Sequence, residues 1–171
     1  PHQKRDVNPA LIVAAGMAAY HDTKFKGLRA FDDVEPFLKA LSNAKIRTGI
    51  ITHGWTTKQS EKLIRLGLVP LLGPRNVFIS DQVGISKPNV KLYQHALREM
   101  GLLPGEVLYV GDNLAHDIVP PVSIGMHTAW IRRAAREGQD VEAANPEFIV
   151  DDFRELAAIL RERFQVPLGE F

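Results

Sequence analysis

Short apolar runs in this chain break off at polar clusters, and this pattern constrains the fold more than any other feature. Residues 46–52 form a largely β-branched run that stops at His53-Gly54. Residues 77–80 form a second run, followed by the loop Gly84-Ile85-Ser86-Lys87-Pro88. Residues 107–110, Val-Leu-Tyr-Val, run directly into Gly111-Asp112. Short apolar runs bounded by turn residues read as strands buried on both faces. Helical stretches separate them: residues 57–66, stopped by Gly67, and residues 88–100, with Pro88 near the start and Gly101 after the end. Strands alternating with helices at this spacing predict a parallel α/β sheet covered on both faces.

The rest of the chain extends the pattern. A helix is expected over residues 8–20, with Pro9 at its first position and Asn8 as its cap. Another is expected over 31–43, capped by Asp32 or Asp33, with Val34, Phe37, Leu38 and Leu41 on one face. After Asp117 a short helix closes at Gly125, and Pro120-Pro121 should shorten or distort it. Strands follow over 127–131 and 148–150, and a last helix over 153–164.

Composition narrows the function classes. The chain has 171 residues, enough for one domain or a domain with a small appendage. Its 21 Lys+Arg against 20 Asp+Glu leave a net charge of +1, so no basic field draws it to nucleic acid. Cysteine is absent, which excludes disulfides, thiolate catalysis and cysteine metal sites and fits a cytoplasmic protein. The apolar stretch over residues 10–19 is about half the length that spans a bilayer. Lys4 and Arg5 precede it as in a signal peptide, but Asp6, Asn8 and Pro9 interrupt that pattern. A buried helix is expected there, and no membrane partner.

In open parallel sheets ligands bind beyond the carboxyl ends of the strands. Three polar clusters stand at such places. Gly111-Asp112-Asn113-Leu114-Ala115-His116-Asp117 sets two carboxylates and an amide within one turn, a donor set suited to a hard cation such as magnesium. Read blandly, Asp112 caps a helix and Asp117 is solvated. Lys87 lies in a loop before a helix, where an ammonium can neutralise a phosphate, although most loop lysines are simply solvated. Thr52 ends a strand, and its hydroxyl with the backbone N–H groups of His53 and Gly54 could cradle a phosphoryl group; alone, a threonine there is a good strand former.

Taken together, the clusters resemble three of the four motifs of the haloacid dehalogenase superfamily. Ile50-Ile51-Thr52-His53-Gly54 is similar to motif II, Gly84-Ile85-Ser86-Lys87-Pro88-Asn89 to motif III, and Gly111-Asp112 through Asp117 to motif IV. The stretch Gly125-Met126-His127-Thr128-Ala129-Trp130-Ile131 also resembles the family's next strand. The resemblance implies a three-layer, Rossmann-like core over residues 29–171, with residues 1–28 as the end of a helical cap. It implies a magnesium-dependent phosphohydrolase acting on a small phosphorylated metabolite through an aspartyl-phosphate. Thr52 and Lys87 would be catalytic. Thr52, His53, Gly54 and Lys87 would bind phosphate, and Asp112 and Asp117 would serve Mg2+. His53 departs from the asparagine common at that position.

Motif I, an apolar strand ending in Asp-x-Asp, has no counterpart here. Asp6 follows charged residues, Asp22 lacks an apolar strand before it, and Asp32-Asp33 open a helix. The resemblance places the motif I strand between those ending in Thr52 and Asp112. Its absence would leave central backbone groups unpaired. A missing N-terminal segment or a second chain is therefore expected to complete the sheet. Two alternatives stand beside this reading: a non-catalytic relative or fragment that binds phosphate or a protein, and a 2-haloacid dehalogenase, against which the pair Asp112 and Asp117 argues. A mass measurement of the full gene product separates the first pair, since the enzymatic reading expects roughly 80 further residues, including Asp-x-Asp, before Pro1.

Overall fold

A computed structural model describes residues 8–135 and 137–171. Lys4, Arg5 and Asp6, which entered the signal-peptide and nucleophile readings, lie outside the described residues. The chain runs α1 (Pro9–Phe25), α2 (Val34–Asn43), β1 (Ile50–Thr52), α3 (Thr56–Arg65), α4 (Val69–Leu72), β2 (Val77–Ile79), α5 (Ser80–Val83), α6 (Val90–Met100), β3 (Leu108–Gly111), α7 (Val119–Ser123), β4 (His127–Ile131), α8 (Val141–Ala144), β5 (Phe148–Val150) and α9 (Phe153–Phe164). Single turns of 3-10 helix fill Pro104–Glu106 and Arg132–Ala134, and a π-helical turn fills Leu114–Ile118.

Every strand ladder among the described residues is parallel. β1 pairs with β2, and β3 pairs with β4, which pairs with β5. These form two separate sheets, one of two strands and one of three. Helices cover both on two faces, and strand periodicity decides which side chain meets which helix. Along β3, Leu108 and Val110 pack with Phe37 and Leu41 of α2 and Leu156 and Ala157 of α9. Val107 and Tyr109 face the other way, onto Leu92, Tyr93 and Leu97 of α6. In β1, Ile51 joins the α6 cluster, while Ile50 joins a cluster with Leu38 of α2 and Leu63 of α3. Leu38 also packs against the β3–β5 cluster. The two sheets therefore share one pair of covering layers, as the expected three-layer α/β fold requires.

Several elements depart from the sequence reading. The strand expected from residue 46 begins at Ile50, because Lys45 takes a left-handed φ of 59° and Ile46 hydrogen-bonds back to Leu41. Ser80 opens a helix instead of closing a strand. The helix expected from Pro88 begins at Val90, with Asn89 as its cap. The proline pair produces the distortion expected of it: the π-helical turn gives way to a five-residue α7. Asn8 accepts from the Ala10 N–H, and Pro9 is the first helical residue.

α1 corrects another expectation. It reaches Phe25, and residues expected to be buried are exposed: Leu11 64%, Val13 61% and Met17 59%. Only its last turns dock, through buried Phe25, His21 Nδ1 at 2.7 Å from Glu61 and the Arg65 guanidinium over the Phe25 ring. An apolar helix surface without a facing element stays in water whatever its composition.

Asp33 corrects a third. It makes no side-chain cap to α2. Instead Arg133 donates to both its carboxylate oxygens at 2.7 Å, and the Phe153 N–H donates to Oδ2 at 2.8 Å. The guanidinium stacks 4.1 Å from the Phe31 ring centroid and 5.0 Å from that of Phe153. Burial raises the Asp33 pKa, but the Arg133 and Phe153 hydrogen bonds and the Arg133 charge outweigh it, and the net shift is downward. Since the folded pKa is depressed, this contribution to stability is present above the ordinary carboxylate pKa of about 3.9 and is lost as pH falls through the folded value. Arg133→Ala should leave a 2%-exposed carboxylate without its counter-charge, with only the Phe153 N–H still bonded to it, and destabilise by about 3–5 kcal/mol in urea unfolding at neutral pH, with a smaller loss under strongly acidic conditions.

Candidate active site

The β3 end is built around one ammonium. Lys87 reaches it from the loop before α6, and its Nζ donates to Asp117 Oδ1 at 2.7 Å and to the Tyr109 hydroxyl at 2.8 Å. The side chains of Lys87 and Asp117 are 11% and 9% exposed, so water screens the pair little. Lys87 precedes Pro88 through a cis peptide bond. An ammonium has three protons, and these two bonds leave one for a ligand. Burial first, then the charges of Asp117 and Asp112, hold the Tyr109 hydroxyl well above its usual titration range, so it serves Lys87 as a neutral acceptor. Below them the Tyr93 hydroxyl donates to the His116 carbonyl, and the Tyr93 and Tyr109 rings meet edge to face at 5.2 Å.

Asp117 lies in the π-helical turn after β3, which the Val119 N–H closes onto the Leu114 carbonyl, and it reaches Lys87 from there. The Asp117 N–H donates to the Asn113 carbonyl, and its Oδ2 accepts from the Asn113 N–H at 3.2 Å. Asn113, not Asp112, caps this turn, accepting from the His116 N–H. Such single π turns often mark functional positions. Gly111 is needed for space. A Cβ there would lie 2.3 Å from Asp117 Cβ and 2.8 Å from its Oδ2.

Asp112 is held by its backbone. Its carbonyl accepts from Trp130 Nε1 and Gln139 Nε2, each at 3.1 Å. The register brings Trp130 there by pairing it with Gly111. The Asp112 carboxylate has no hydrogen bond or ion pair among the described residues. The two acids are therefore not equivalent. Asp112 is free to ligate a cation, while Asp117 is engaged by Lys87 and Asn113. Among the described residues no group of three acidic or histidine side chains could enclose a metal. Magnesium commonly keeps several waters and takes one or two carboxylates plus substrate phosphate, and this donor set fits that mode.

The β1 end forms a second network. The Thr52 hydroxyl donates to Gln59 Oε1 at 3.1 Å. The Gly54 N–H, expected to meet a phosphate, instead donates to Ser80 Oγ at 3.0 Å. His53 Nδ1 lies 3.2 Å from the same oxygen. Thr56 donates to Asp81 through its N–H at 2.9 Å and its hydroxyl at 2.7 Å, and these two bonds hold the Asp81 carboxyl below its usual range. Among the described residues no hydrogen bond joins this network to that of Lys87. Gln59, Ser80, Asp81 and Tyr109 were not singled out in the sequence. The strand register brings in Ser80 and Asp81, the path of α3 after β1 brings in Gln59, and the loop before α6 meets Tyr109 on β3.

A family model described as haloacid dehalogenase-like hydrolase matches residues 3–131. The chain belongs to the haloacid dehalogenase-like hydrolase family. It is 43% identical over 155 residues to a glyceraldehyde 3-phosphate phosphatase of Methanopyrus kandleri, covering 88% of this chain and 65% of that protein. A glyceraldehyde 3-phosphate phosphatase of Methanothermobacter thermautotrophicus is 36% identical, with 88% and 67% covered. The solved structure of a phosphatase of this family from Thermococcus onnurineus superposes with a TM-score of 0.68 at 30% identity, covering 77% of this chain and 58% of that one. The chain thus spans about two thirds of the length of these curated relatives.

Gly111→Ala tests the crowding against Asp117. The methyl should displace Asp117, lowering stability by about 1–3 kcal/mol in thermal or urea unfolding. The Lys87–Asp117 pair should loosen, read as increased solvent access to the Lys87 amine by chemical labelling.

Proposed function

We propose that this chain forms most of a magnesium-dependent phosphohydrolase acting on a small phosphorylated metabolite through an aspartyl-phosphate. One observation carries the reading. A clamped ammonium with one proton to offer, on Lys87, is tied through Asp117 to the turn after β3, which opens with the Asp112 carboxylate, unpaired among the described residues. Together they suit a group that is at once anionic and a metal ligand, as a phosphate ester is. The phosphatase names of relatives at 43% and 36% identity support it. They also make glyceraldehyde 3-phosphate the first substrate to assay.

In this reading Asp112 holds the cation, and Asp117 orients its waters while fixing Lys87. Bound magnesium supplies charge neutralisation at the phosphoryl oxygens. Lys87 adds a second positive charge in a site with little water, where it is worth more than in bulk solvent. The Thr52 hydroxyl turns from Gln59 to a phosphoryl oxygen when a ligand arrives.

The nucleophile belongs, in the same proposal, to an aspartate on a further parallel strand between β1 and β3, from the same gene product or a second chain. The two sheets share their covering helices yet are not joined. β1 and β3 are only half-buried along their whole lengths, whereas β4 is buried beyond His127. A strand in that place would satisfy both edges. Residues 1–28 would then be the end of a helical cap, which accounts for an apolar α1 without a partner.

A panel of phosphate esters with the full-length gene product and magnesium checks this. Lys87→Ala should lower kcat/KM well beyond tenfold, as expected for a charge-assisted contact of about 1.5–3 kcal/mol or more. Asp112→Asn should remove most magnesium-dependent turnover. Undiminished hydrolysis in Asp112→Asn would remove the metal assignment, and no hydrolysis by the full-length protein would favour a non-catalytic phosphate-binding relative.

A further inference from the structure

Ser80 is 2% exposed, yet no step proposed above uses it. The β1–β2 register pairs Thr52 with Ile79, so the residues that follow, His53 and Ser80, meet side by side at the carboxyl edge. Ser80 Oγ accepts the Gly54 N–H at 3.0 Å and lies 3.2 Å from His53 Nδ1. Its own backbone is fixed, since the Ser80 carbonyl accepts from the N–H groups of Gly84 and Ile85. The next residue, Asp81, holds Thr56 on the other side of the loop. α5 thus clamps residues 53–56 with its first two side chains.

The proton count favours one direction for the His53 contact. A serine hydroxyl has one proton to give. The Gly54 N–H uses one of its acceptor positions. Among the described contacts, the acceptor available to the hydroxyl proton is His53 Nδ1. An imidazole that accepts at Nδ1 carries its own proton on Nε2 when neutral. His53 is exposed, and no hydrogen bond to its Nε2 occurs among the described residues.

We propose that Ser80 is a positioning residue: it fixes the neutral His53 ring as the Nε2–H tautomer and so presents one oriented N–H donor to an oxyanion at the end of β1. The donor role rests on the phosphoryl-binding reading of the Thr52 loop, whereas the tautomer does not. A neutral N–H here replaces the amide donor that the family resemblance expects from asparagine. Ser80 also takes the Gly54 N–H, so the ring, not that amide, faces the ligand.

Nitrogen-15 NMR of the histidine rings of the full-length protein, recorded above the imidazole titration, tests this. His53 should show an unprotonated Nδ1 that accepts a hydrogen bond and a protonated Nε2. Ser80→Ala should release the ring to a mixture of tautomers, and Ser80→Thr, which keeps the hydroxyl, should restore the wild-type pattern. Inorganic phosphate added with magnesium should shift the Nε2–H signal, and Ser80→Ala should weaken that binding by about twofold for an even mixture of tautomers, because the binding-competent fraction halves. A protonated Nδ1 in the wild type, or the wild-type tautomer persisting in Ser80→Ala, would overturn the proposal. If Ser80→Ala does not fold, the wild-type spectrum alone decides. The expected tautomer with no response to phosphate would uphold Ser80's control and overturn the phosphoryl-binding reading instead.

Discussion

The Lys87 ammonium, held between Asp117 and Tyr109, is the contact on which the site depends. It ties the loop before α6 to the strand β3 and to the π-helical turn after it. A buried ammonium is unfavourable unless its charge is matched and its protons are bonded. Asp117 matches the charge, and the tyrosine hydroxyl takes a second proton. The other local features follow from that need. Asp117 points back at Lys87 from the π-helical turn after β3, and position 111 has no room for a side chain because Asp117 occupies the space.

The β1 side works differently. Its groups are neutral or exposed, and the loop after Thr52 does not hold itself. α5 holds it from across the sheet, through Ser80 and Asp81. The candidate site thus has a buried ion pair at its β3 half and a mostly neutral hydrogen-bonded network at its β1 half, with apolar packing beneath both. Ile51 and Tyr109 lie in one cluster under α6, and Leu38 packs against the clusters of both sheets. Apolar packing of this kind is non-directional. It can keep two sheets in one body without a hydrogen-bonded ladder between them, and this gap is where the proposed strand fits.

Much of this was legible in the residues. The runs 107–110 and 129–131 are apolar and fall on strands packed between helices, β4 buried and β3 half-buried, so local pattern and tertiary environment agree. Lys87, Asp112 and Asp117 stood out as candidates because ligand chemistry collects at strand ends in such sheets, and the structure brings Lys87 and Asp117 into contact. Their unequal roles were not. That Asp117 is engaged and Asp112 free depends on where Lys87 comes to rest. Asp33 looked like a helix cap, and it became a buried partner for Arg133, one hundred residues away in the chain. α1 looked like a core helix because its residues are apolar, but burial needs a facing surface and composition does not supply one.

By itself, the sequence determined the succession of strands and helices, the parallel class of the sheet and the positions at which chemistry could gather. These follow from short-range periodicity and turn residues, which act over a few positions of the chain. Only the tertiary structure decided the partners: Tyr109 for Lys87, Ser80 for His53, Gln59 for Thr52, and the separation of the strands into two sheets. Those depend on register and helix packing between segments far apart in sequence, where a shift of one residue would turn each side chain to the opposite face.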